Sequence, residues 1–277
     1  MPAALLALAA SLSWGVSSFT AGLESRRRSV WTVVAVSQIA SALSAVALLL
    51  FAHGEDLTAG NAAWAVIAGV CGATGLVAYY RALALGAMSV VAPIIAAQVV
   101  IPVVVGLALG ERPALAAYAG MVLAAIGVAL VSRGGGAGVA RVPGTAILLA
   151  VLTAVLFGIM GVALDRCGAG SPLQSVFVVR VVSALVVLAY FFASRRRFDV
   201  EARDLPALAS VGILLTVANV LLTVAFTIGL LSIISVLGSL SPVVIVVMAQ
   251  VLLHERLCVR QWVGVAAVFA GVVLLSL

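Results

Sequence analysis

Ten apolar runs, each close to the length that crosses a bilayer, dominate the chain and are parted by short polar or glycine-rich breaks. They cover roughly residues 2–22, 30–52, 61–85, 88–109, 114–132, 144–165, 172–193, 205–228, 231–252 and 260–277. The runs are continuous and lack the alternation of barrel strands, so each predicts a helix that satisfies its own backbone hydrogen bonds in lipid. A helix needs about 20 mostly apolar residues to cross a hydrocarbon core of about 30 Å. Ten such helices leave only short connections in a chain of 277 residues, with no room for a separate soluble domain. The first run, Pro2 to Gly22, lacks the basic stretch that opens a signal peptide and reads as a retained helix.

Composition supports this all-α membrane reading. Apolar residues make up 65% of the chain and charged residues 9%, with a mean hydropathy of +1.34, whereas a soluble domain carries about 25% charged residues. All 15 basic residues are arginine, and their placement sets a topology. Arg26, Arg27 and Arg28 follow span 1; Arg133 and Arg141 lie between spans 5 and 6; Arg195, Arg196, Arg197 and Arg203 follow span 7; Arg256 and Arg260 follow span 9. All of these share one side, while the other side receives Arg112 and Arg166. The positive-inside rule makes the arginine-rich side cytoplasmic and predicts both termini on the non-cytoplasmic side, in a bacterial-type inner membrane. A net charge of +6 arranged in this way suits a bilayer surface and gives no reason to expect a nucleic-acid partner. Cys71, Cys167 and Cys258 are odd in number and widely spaced, which implies small core fillers and no disulfide framework or metal set.

The polar breaks also expose an internal repeat at a spacing of about 142–144 residues. Gly110-Glu111-Arg112, closing span 4, matches His254-Glu255-Arg256, closing span 9. Gly120 and Gly127 of span 5 match Gly264 and Gly271 of span 10, Ser41-Ala42-Leu43 matches Ser183-Ala184-Leu185, and Trp14-Gly15 pairs with Phe157-Gly158. Residues 1–132 and 144–277 are therefore expected to be two five-helix units, joined by a glycine-rich linker over 133–143. Each unit has an odd number of spans, so the second enters the membrane upside down. The charges agree: the loop after span 2, His53-Gly54-Glu55-Asp56, has no arginine and its counterpart after span 7 has four, while the bias is reversed after spans 1 and 6. Inverted repeats are an architecture from which secondary transporters obtain alternating access around a midplane site.

These residues resemble a known family. Two five-span units that open with Trp-Gly or Phe-Gly and close with Gly-Glu-Arg or His-Glu-Arg before a glycine-spaced helix look like the EamA-like branch of the drug/metabolite transporter superfamily. The stretch from Tyr79 through Arg112 is the most typical part. The resemblance implies a basket of ten helices around a central cavity, and export of amino acids or other small metabolites. One departure concerns coupling. Small four-helix multidrug members of that superfamily use a membrane-embedded glutamate in their first helix, whereas spans 1 and 6 have no mid-span carboxylate here. Proton-coupled export of bulky cations is therefore not expected.

Candidate chemistry inside the membrane begins with Arg180, about eight residues into span 7. An ionisable group at that depth costs about 2.5–3.5 kcal/mol on insertion scales and is a functional hypothesis by default. Its planar guanidinium suits a solute carboxylate; the alternative is a structural brace to helix-end carbonyls. Its repeat equivalent is Gln38. Gln38, Gln98 and Asn219 are large amides that need partners in a dry setting, and Ser239 and Ser241 add hydroxyls that serve either a cavity or helix packing. Trp14 and Phe157 match across the repeat and could stack on a solute or simply pack. Tyr79 and Tyr80 read as interface anchors or as the mouth of a cavity. Arg81, near the end of span 3, is expected to snorkel to the headgroups. Pro93, Pro102 and Pro242 lie in the corresponding spans 4 and 9, where kinks free carbonyls and mark a binding or gating region.

The function read from these observations is a secondary transporter that exports small metabolites, amino acids or related carboxylates first, with other metabolites or drugs as the alternative solutes. A non-catalytic scaffold or flippase subunit is the other open reading. Catalysis is not expected: His53 and His254 both sit at span ends, and neither a nucleotide-binding loop nor a zinc-protease helix motif occurs. No cofactor is called for. The expected partners are a small-molecule solute and the lipid bilayer, and a chain that holds both halves is expected to work as a monomer.

Overall fold

The computed structural model describes residues 2–25, 27–50, 57–85, 94–95, 97–132, 143–169, 171–194, 200–253 and 259–276. Pro93, the linker up to residue 142, His53 and the His254-Glu255-Arg256 motif lie outside these residues, as do the side chains of Tyr80 and Pro242. The chain is all-helical. Its helices are α1 (Pro2–Ser25), α2 (Val30–Leu49), α3 (Ala59–Leu85), α4 (Val100–Ala108), α5 (Leu115–Ser132), α6 (Gly144–Gly168), α7 (Pro172–Ala193), α8 (Leu205–Ile228), α9 (Leu231–Gly238), α10 (Ser241–Leu253) and α11 (Val259–Ser276). Among the described residues, six helices are long and apolar enough to cross a membrane, and four shorter apolar helical stretches accompany them.

The expected spans coincide with these helices within a few residues except at the fourth, whose residues 88–93 and 96 lie outside the described residues, and at the ninth. The run 231–252 was expected to be one helix, and it is two, α9 and α10, separated by a turn at Ser239-Leu240. The cause is local. Pro242 is the second residue of α10 and has no backbone N–H to return to the carbonyl of Gly238, so the helical ladder stops and restarts. The corresponding place in span 4 is also irregular: a 3-10 turn over Ala97–Val99 leads into α4. Pro102 lies in the first turn of α4, where a missing N–H has no partner to lose.

The halves interlock. Among the most extensive contacts are those of α3 with α6 and of α1 with α8, which are equivalent pairs when the halves are exchanged. The pairs α2 with α8 and α3 with α7 are exchanged in the same way, while α5 with α11 and α2 with α7 are their own counterparts. The α5–α11 crossing shows the inversion in atomic detail. A Cβ at Gly120 would lie 2.8 Å from the Gly271 carbonyl oxygen, and one at Gly127 would lie 2.7 Å from that of Gly264. Early residues of one helix thus meet late residues of the other, so the helices run antiparallel, with the pseudo-twofold axis passing between them. Lipid tails are as apolar as leucine, so close backbone approach through small residues supplies much of the packing between membrane helices. The fully buried Ala7, Ala10, Ala65, Ala68, Ala146 and Ala150 serve this end, while Leu5, Leu43, Val122, Ile126, Leu148 and Phe269 remain exposed to the surroundings.

The glycines of the Trp-Gly and Phe-Gly steps have the same explanation. A Cβ at Gly158 would sit 2.8 Å from the Gln98 carbonyl oxygen and from Ile101 Cβ. One at Gly15 would run into Val244 and meet the Ser241 carbonyl oxygen at 3.1 Å. Ile101 and Val244, like Gln98 and Ser241, occupy equivalent places in the two halves, so both steps let a first helix press on the interrupted helix of the other unit.

Candidate functional site

Gln38 and Arg180 lie two turns or more inside α2 and α7, and each is held there by a clamp to the opposite half. Beside Arg180, the Ser183 hydroxyl donates to the Gly69 carbonyl oxygen at 3.0 Å. Gly69 itself lets α7 approach, since a Cβ there would lie 2.9 Å from the Val179 carbonyl oxygen. Near Gln38, the Ser41 and Thr216 hydroxyls are 2.8 Å apart and Thr216 also donates to the Gly212 carbonyl oxygen at 3.2 Å. A Cβ at Gly212 would collide with the Ser37 carbonyl oxygen. These clamps fix the level of both helices.

The result is a cavity of about 230 Å³ between the halves. It is smaller than the roughly 300–1,000 Å³ typical of pockets for drug-sized ligands, so it fits a small solute. Trp14, Gln38, Tyr79, Gln98, Phe157, Arg180, Ser239 and Ser241 all line it, together with Pro102. Much of the wall is built from repeat-related pairs: Trp14 with Phe157, Gln38 with Arg180, Tyr79 with Leu222, and Gln98 with Ser241. The rings of Tyr79 and Phe157 are inclined to each other with centroids 6.4 Å apart, which gives one side an aromatic surface.

Arg180 supplies the charge. It is 5% exposed, its Nε has no hydrogen-bond partner, and among the described residues no carboxylate pairs with it. No acidic residue is among the described residues that line the cavity. The Gln38 Oε1 and Ser235 Oγ atoms are likewise buried without partners in the cavity wall. A buried guanidinium without an anion is costly, so the cavity is preorganised to accept negative charge and hydrogen-bond donors.

The candidates do not all converge. Asn219 is fully buried with both amide atoms unpartnered, but it is not part of the cavity wall. Arg81 lies at the exposed end of α3, its guanidinium 5.8 Å from the Trp31 ring centroid and 5.5 Å from that of Tyr190, a cation–π arrangement away from the cavity. Sequence reasoning passed over three features. Ser183 lines the cavity, and its only mark in the sequence is the repeat match with Ser41. Ser235 also lines it, and the spacing Ser232, Ser235, Ser239 at three to four residues is the signal of a polar face that was present in the sequence. Glu111 docks the halves: its carboxylate accepts from the backbone N–H groups of Leu231 at 2.5 Å and Ser232 at 3.0 Å, capping the start of α9. Gly110 makes the turn that aims it, at φ +94°.

Comparison with known proteins agrees with this duplicated design. A protein of Methanocaldococcus jannaschii, described as uncharacterized, is 26% identical over 133 residues, which is 97% of its length and 48% of this chain. A protein of that size corresponds to about one repeat. A solved crystal structure superposes with a TM-score of 0.82 over 99% of this chain and 98% of its own at 19% identity, which establishes a shared fold. The model of the EamA-like transporter family matches twice, over residues 1–133 and 144–277. The cavity between inverted halves thus belongs to a multi-pass membrane transporter, and the chain is a member of the EamA-like transporter family.

Proposed function

We propose that this transporter exports small metabolites, amino acids or related carboxylate-bearing solutes, by alternating access of its two five-helix units (1–132 and 144–277) around Arg180. The observation that carries the reading is the buried, unpaired guanidinium in a cavity of a few hundred cubic ångströms. A planar fork of donors matches a carboxylate, and charge-assisted hydrogen bonds of that kind are about twice as strong as neutral ones. Trp14, Phe157 and Tyr79 would contact the body of the solute, with Gln38, Gln98, Ser239 and Ser241 orienting its polar groups. Tyr80 is proposed at the mouth of the cavity. Pro93, Pro102 and Pro242 are the proposed gating points, since broken helices lend carbonyls to a polar site and bend as the halves rock.

The protein is proposed to act as a monomer in the inner membrane with both termini on the non-cytoplasmic side; a C-terminal reporter active only in the cytoplasm would overturn that orientation. The transport reading is tested with purified protein in liposomes. Saturable flux of labelled amino acids or other carboxylates is expected, and Arg180→Gln should lower it at least about tenfold at sub-saturating solute while leaving expression and the gel-filtration profile intact. Unchanged flux through the variant would remove Arg180 from the binding site.

A further inference from the structure

We infer that the cavity selects solutes carrying one uncompensated negative charge over zwitterions, and that it moves them by one-for-one exchange. This rests on the carboxylate-binding reading above and extends it from the charge balance of the site. The described cavity wall contains one ionised side chain, Arg180, and no acid. An arginine stays protonated in a protein. A bound monocarboxylate therefore brings the site to neutrality. A bound amino acid brings an ammonium as well, and the described wall has no anion to receive it. The unpartnered Gln38 Oε1 and Ser235 Oγ atoms are neutral acceptors, suited to a hydroxyl donor next to the carboxylate.

The same balance governs reorientation. During the switch between inward-open and outward-open states the site is sealed from water, and charge in a low-dielectric enclosure is strongly disfavoured unless paired. An empty carrier must pass through that state with the guanidinium unpaired; a loaded one passes through it neutral. Loaded reorientation is therefore faster in both directions, so flux in one direction requires an anion for the return. The expected behaviour is electroneutral exchange of one organic monoanion for another. Gln38, the repeat equivalent of Arg180, is neutral, so a second charge on the other half does not alter the count.

Matched pairs that differ only in an ammonium or a hydroxyl test both parts: L-alanine with L-lactate, and L-phenylalanine with 3-phenyllactate. With the full chain purified in detergent, the hydroxy acid should raise thermal stability at a concentration at least tenfold below that needed for its amino acid. In liposomes, uptake of the labelled hydroxy acid should rise at least tenfold when the lumen holds the same unlabelled acid instead of Hepes buffer, and a potassium diffusion potential should leave the exchange rate unchanged. Equal or tighter binding of the amino acids overturns the selection for net charge, and equal uptake into loaded and unloaded vesicles overturns exchange. Stimulation by luminal chloride equal to that by the unlabelled acid also overturns the requirement for an organic counter-solute. If no member of either pair binds and Arg180→Gln changes nothing, the carboxylate reading fails with it; if both members bind equally well and Arg180→Gln abolishes binding of both, that reading stands and only this inference falls.

Discussion

The two halves of the chain differ least where they build the frame and most where they face the cavity. Gly15 and Gly158 press their helices against equivalent residues, and the four glycines of α5 and α11 meet reciprocally. Inside the cavity the correspondence lapses: Gln38 faces Arg180 across the repeat, Tyr79 corresponds to Leu222 and Gln98 to Ser241. The extramembrane ends show the same divergence. Asn61, at the start of α3, donates to the Ala169 carbonyl oxygen at 2.6 Å. Its equivalent ahead of α8, Asp204, pairs with Arg28 at 2.9 Å, with Glu201 contacting the same guanidinium. Packing constraints that both halves must meet keep the frame alike, whereas a charge placed in only one half makes the cavity polar in one direction.

The strongest way to break this comparison is to move the charge. Arg180→Gln should weaken carboxylate binding by about 10- to 100-fold, the loss of a charge-assisted hydrogen bond worth about 1.5–3 kcal/mol. Adding Gln38→Arg to that variant should restore a large part of the affinity, measured by ligand-induced thermal shift, because the two positions share one cavity. Failure of the double variant to recover any binding, with its fold intact, would show that the halves are not functionally interchangeable at this level.

The frame is tested by filling it. Gly127→Ala and Gly271→Ala occupy equivalent positions, and each added Cβ would come within 3 Å of backbone in the opposing helix. Each should cost about 1–3 kcal/mol, the usual range for overpacking, and the two should cost nearly the same in detergent unfolding. A large cost at one and none at the other would contradict the reciprocal crossing. Glu111→Gln keeps only one of the two oxygens that accept from the Leu231 and Ser232 N–H groups and turns an amide donor toward the other, so it should cost about 1–3 kcal/mol in unfolding free energy. At the extramembrane ends, Arg28→Gln should destabilise by about 1–2 kcal/mol, between an exposed and a buried ion pair, since the side chains of Arg28 and Asp204 are each only 12% exposed. Asn61→Ala should cost about 1 kcal/mol, one neutral hydrogen bond.

The apolar spans, most of their approximate ends and the duplication could be read from the sequence, since a bilayer demands long apolar runs and Trp14-Gly15, Gly120 and Gly127 have recognisable copies. Much of the cavity was legible too, because polar residues deep in apolar runs are few. Asn219 shows the limit: it is as polar and as deep as Gln38, yet the two point to different places. In a membrane the solvent-facing side of a helix is apolar as well, so hydropathy seldom tells which face of α8 turns inward.

The sequence by itself determined an all-helical membrane chain of two related halves, because those features follow from the length and order of apolar runs in one dimension. Only the tertiary structure decided which side chains meet: that Glu111 caps α9, that Ser183 and Ser235 line the cavity, that the ninth span divides, and that Arg180 finds no carboxylate among its described neighbours. Those outcomes depend on how the helices rotate and approach one another, and backbone contacts at glycines fix rotation and approach through distances that composition does not record.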